Sequence, residues 1–102
     1  MTHQDEALRQ RWRTLVHTEL PAVARARGWP IVHDHCFARV LLDNALEAPW
    51  RTLVSPPAWR NTDPKTLAKA IALGEAAING EADMHLLNRR SLRLRGKRGP
   101  RG

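Results

Sequence analysis

The sequence predicts an all-α fold, a compact single domain of four to six short helices with proline-rich corners and a disordered basic C-terminal tail. Three observations predict it. Apolar residues recur at helical spacing in every long segment. The clearest start and stop signals, Asp63-Pro64, Gly28 and Asn79-Gly80, are those of helices. The one short apolar run that suits a strand, residues 37–42, has no partner strand.

The first helix is expected over residues 5–20. Leu8, Trp12, Leu15, Val16 and Leu20 share one face, and Asp5 and Glu6 suit its positive end. Pro21 interrupts the pattern, which predicts either a kink or a second short helix over 21–27, stopped by Gly28. The next helix, 34–46, carries the stripe Phe37, Val40, Leu41 and Ala45, widened by Leu42 and Leu46. "RTLV", residues 51–54, lies between two proline corners and predicts one helical turn, pinned to the body by Trp50 and Trp59.

Asp63 is a natural N-cap and Pro64 a natural first helical residue. The face that follows, Leu67, Ala70, Ile71, Gly74, Ala77 and Ile78, has small residues that let another helix approach closely. The last helix starts near Asp83 with Met84, Leu87, Ser91 and Leu94, and Gly96 ends it. One helical domain over 1–96 and a disordered tail over 97–102 are the expectation.

Hydrophobic residues make up 42% of the 102 positions, enough for one modest core. A single cysteine excludes an intramolecular disulfide framework and suits a reducing compartment. The charged N-terminus shows no apolar signal core, and no apolar run approaches the ~20 residues that span a bilayer. These features predict a cytoplasmic protein without a membrane partner.

Charge is distributed unevenly. The net charge is +7, with seventeen basic and ten acidic residues. Seven of the basic residues, Arg89, Arg90, Arg93, Arg95, Lys97, Arg98 and Arg101, fall in the last fourteen positions, and every acid lies at or before Asp83. Residues 1–88 therefore hold ten basic and ten acidic groups. The excess charge belongs wholly to the C-terminal end. Arginine suits bidentate phosphate contacts. The seven cationic side chains, all engaged on one polyanion, give a log–log salt slope of roughly −5 to −6. The bland reading is a solvated tail that aids solubility. Helices over 64–78 and 83–95 joined by a short turn also admit a helix-turn-helix. The expected partner is nucleic acid or another acidic molecule, with a protein partner as the alternative.

"HDHC", residues 33–36, gathers two histidines and the only cysteine. His33 and His35 share a face only in an extended chain, since residues i and i+2 point about 200° apart on a helix. A structural zinc site takes four ligands, and the other histidines, His3, His17 and His85, are isolated. Cys36 in a first helical turn would favour thiolate, with His33 or His35 as base. The simpler reading is structural: His33 or Asp34 caps the helix and Cys36 packs as a small apolar residue. Asp43 and Asn44 then continue on a polar face, where Asp43 meets Arg39 at i+4. A cleft shared by His33, His35, Cys36, Asp43 and Asn44 is the enzymatic alternative. No catalytic residue, metal ligand or cofactor is assigned. Trp59-Arg60 lies in a proline-rich loop, where the ring either anchors the loop, the favoured reading, or stacks on a base or ligand.

The pieces Asp34 to Phe37, Leu42 to Asn44, Trp50, Pro57-Ala58, Leu87-Asn88, Ser91-Leu92 and Arg95 to Lys97 carry a resemblance. Over residues 30–97 the chain resembles a family of short bacterial proteins, some labelled as related to GNAT-type N-acetyltransferases. That label would imply a cofactor loop of the form Q/R-x-x-G-x-G/A. Arg93 and Gly96 fit its first two fixed positions, and Arg98 stands where the last requires Gly or Ala. The resemblance thus implies either an acetyltransferase-related enzyme or an accessory subunit.

Overall fold

The computed structural model describes residues 3–96, with the side chains of His3 and Gln4 excepted. The chain runs as α1 (His3–Thr14), a π-helical turn (Leu15–Glu19), α2 (Leu20–Arg27), α3 (Asp34–Leu46), a 3-10 turn (Trp50–Thr52), α4 (Ala58–Asn61), α5 (Pro64–Ile78) and α6 (Met84–Leu94). No strand occurs among the described residues, and 37–42 lies within α3. The expected tail, 97–102, lies outside the described residues.

Pro21 neither breaks nor sharply ends the first helix. A proline lacks the N–H that would bond residue 17, and its ring presses on that carbonyl. The ladder widens instead: the Leu20 N–H donates to the Leu15 carbonyl, five residues back. α2 then continues to Gly28, whose φ of 68° closes the helix in the left-handed region. The expected second short helix therefore exists, starting one residue earlier and joined by a π turn.

α3 is the central element. Phe37, Val40, Leu41 and Leu42 are fully buried, and α5 and α6 both pack along it. Burying each such side chain contributes about 1.5–3 kcal/mol. On the α5 side the contact is dry and tight. A Cβ built on Gly74 would stand 2.8 Å from Leu15 Cδ2 and 3.1 Å from Leu41 Cδ1. The missing side chain is what lets α5 close on both neighbours. α5 starts as expected, with the Asp63 carboxylate accepting from the Thr66 N–H at 3.0 Å. Hydrogen bonding from Thr66, its side chain first and this backbone N–H second, holds the Asp63 carboxyl below the usual carboxylate range.

α6 follows α5 after a short turn and lays its face on α3. One further expectation needs correction. Trp59-Arg60 is not in a loop but in the one-turn helix α4, with Arg9 tying it to α1 through the Trp59 and Thr62 carbonyls at 2.6 and 3.0 Å. Trp50 and Trp59 do pin this segment, each half-buried against the core.

Candidate functional site

The basic end of the chain divides into two kinds of arginine. Arg89, Arg90 and Arg93 are exposed on α6. Arg90 approaches only Glu47, at 3.7 Å, an exposed pair of little energetic consequence. Arg95 turns inward. Its Nε donates to Asp43 Oδ2 at 2.6 Å and its Nη2 to Asp43 Oδ1 at 3.1 Å. Ser91 Oγ donates to Oδ2 at 2.7 Å, and the Trp50 backbone N–H donates to Oδ1 at 2.8 Å. The Asp43 side chain has no exposure at all, so its charge is sustained by these four donors. Lys97, Arg98 and Arg101 lie outside the described residues.

The expected polar face at Asp43 and Asn44 is thus corrected: both are buried, because α6 covers that side of α3. Arg39 does not pair with Asp43. It donates to Asn88 Oδ1 at 2.8 Å and Ser91 Oγ at 3.0 Å. Asn44 bridges the Val40 and Leu87 carbonyls at 2.8 and 2.9 Å, which leaves its own carbonyl oxygen buried without a hydrogen-bond partner. The sequence pieces Asp43-Asn44, Trp50, Leu87-Asn88, Ser91 and Arg95, distant along the chain, meet at this one junction.

A groove of about 320 Å³ opens on another side of α3. Trp12, Val16, Ala38, Trp50, Ala58 and Trp59 make its apolar walls, and His17, Asp34 and His35 add polar edges. His17 Nδ1 lies 2.6 Å from Asp34 Oδ2. This hydrogen bond, more than the charges around it, draws the Asp34 carboxyl below its ordinary range. His35 Nδ1 is 3.7 Å from the other Asp34 oxygen. Around the tryptophans stand cations: Arg13 and Arg60 lie 4.8 and 5.6 Å from the Trp59 ring centre, and Arg51 lies 5.3 Å from that of Trp50.

The proposed five-residue cleft is divided by this geometry. His33 and His35 stack at 5.7 Å with rings nearly parallel, and His35 lines the groove. Cys36 is half-buried and does not line it. Asp43 and Asn44 sit roughly 12 Å further along the helix axis, enclosed under α6. His33 is the N-cap residue of α3 but makes no side-chain capping bond; its carbonyl accepts from Cys36 and Phe37. No group of three His, Cys, Asp or Glu side chains suited to a metal ion occurs among the described residues. The His17–Asp34 pair escapes sequence reasoning because seventeen residues and the turn at Gly28 separate its members.

No protein-family model, curated protein or solved structure matches the chain. Among the described residues no helix is long and apolar enough to cross a membrane.

Proposed function

We propose that the protein is a small binding protein that contacts nucleic acid through the exposed arginines of α6 and the basic residues that follow. One observation carries this reading. All of the excess positive charge lies in residues 89–102, and within α6 Arg89, Arg90 and Arg93 face solvent while Arg95 is committed to Asp43. The protein thereby holds a cationic helix at a fixed angle on its core. Guanidinium groups presented this way match phosphate oxygens in pairs. An enzymatic site at His33, His35 and Cys36 draws less support, because its supporting residues Asp43 and Asn44 are enclosed at the α6 junction.

The test must spare Arg95, whose removal would loosen α6 itself. Labelled duplex DNA is titrated by anisotropy at several salt concentrations with the wild type and with Arg89→Gln, Arg90→Gln, Arg93→Gln combined. Affinity should fall steeply with salt in the wild type. Losing three phosphate contacts should flatten the log–log slope by roughly 2–3. Superimposable curves for the two proteins would overturn the reading.

A further inference from the structure

Resting on that reading, we propose that the Trp50–Trp59 groove seats one unpaired base of a single-stranded nucleic acid. Three observations lead there. The groove is walled by two half-buried tryptophans and backed by Trp12, only 2% exposed, so it presents flat apolar surface without exposing core. Stacking on such rings is available to every base, because every base has a π face.

The second observation is charge. Arg13, Arg51 and Arg60 gather around the two rings, and none of them makes an ion pair with another described residue. Their placement calls for an anion beside the flat ligand, the combination that a nucleotide within a strand provides. As the base enters, a guanidinium leaves the ring face for the flanking phosphate.

The third is continuity with the basic helix. The Trp50 N–H and the Arg95 guanidinium share the Asp43 carboxylate. The C-terminal end of α6 is therefore fixed beside the tryptophan wall. A strand held by Arg89, Arg90 and Arg93 can continue past this corner into the groove. The His17–Asp34 pair at the groove edge offers hydrogen-bonding groups to the base's rim. A base held in a duplex cannot reach such a recess.

Full-length protein is titrated with labelled oligo(dT), oligo(rU) and a duplex of equal length, following anisotropy and tryptophan fluorescence. Both single strands should bind roughly 5- to 100-fold more tightly than the duplex, as one stacked base predicts, and only they should quench the tryptophans. Trp59→Leu should remove that preference and leave duplex binding unchanged, whereas Trp59→Phe should retain it. Circular dichroism confirms that each variant is folded. If Trp59→Leu fails to fold, the wild-type strand preference and quenching decide alone. Equal binding of strand and duplex would overturn the base seat while leaving nucleic-acid binding intact. Quenching by thymidine monophosphate as strong as by oligo(dT) would also overturn it, in favour of a free small ligand. Absence of binding to any of the three would sink both proposals.

Discussion

α3 is packed from two sides by opposite means. Against α5 it meets a glycine, and the side chains nearest that glycine are the leucines Leu15 and Leu41. Against α6 it presents a fully buried carboxylate, answered by a guanidinium, a hydroxyl and a backbone N–H. The dry junction is stabilised by area removed from water and by close contact. The ionic junction gains far less net free energy, since desolvation offsets most of the attraction. What it adds is position. Four donors on two oxygens fix where the end of α6 and the Trp50 corner lie, so the same arginine-rich segment serves both as framework and as exposed surface.

The comparison can be broken most severely at the ionic junction. Arg95→Ala leaves the Asp43 carboxylate buried without its cation and should cost about 3–5 kcal/mol, read by urea denaturation at neutral pH. Replacing Asp43 and Arg95 together by leucine and methionine should recover most of that loss. A double variant as unstable as Arg95→Ala would show that the pair contributes more than position.

The dry junction should respond less. Gly74→Ala gains ~1 kcal/mol of helix propensity but forces a methyl against Leu15 and Leu41, both wholly buried. Overpacking of this kind costs about 1–3 kcal/mol. A net destabilisation of about 1 kcal/mol, with a lower melting temperature, is expected. A stabilised variant would show that the two leucines have room to shift.

An effect no larger than that of Gly74→Ala lies at the start of α5, remote from both junctions. Asp63→Ala should cost about 1 kcal/mol, the usual value of a lost cap. Because the Asp63 carboxyl titrates below its ordinary range in the fold, its contribution is complete above the unfolded value of about 3.9. It is lost as pH falls through the lowered folded value. Asp63→Asn keeps a capping oxygen and should not show that acid-side loss. Identical acid denaturation profiles for the wild type and Asp63→Asn would refute this account of the cap.

The helices were largely legible because helix formation and burial on one face leave a periodic trace. Phe37, Val40 and Leu41 fall at helical spacing and are all fully buried, and the Asp63-Pro64 start is where α5 begins. Asp43 misled for the same reason. On a helical wheel it lies within i+4 of Arg39, the pattern of an exposed pair, and nothing local announces that α6 will cover it. The groove was half legible. Trp59-Arg60 and His35 stand out in the sequence itself, but Trp12, His17 and Arg13 join them only through packing across α1, α3 and α4.

The sequence by itself determined the all-α class, the stripes that become core and the confinement of surplus charge to the C-terminal end. These follow from spacing and composition, which are local quantities. Tertiary structure alone decided that Arg95 is bound inward while Arg89, Arg90 and Arg93 remain outside, and that His17 meets Asp34. A carboxylate's partner depends on which helix covers it, and that is set when apolar faces find one another across long stretches of chain.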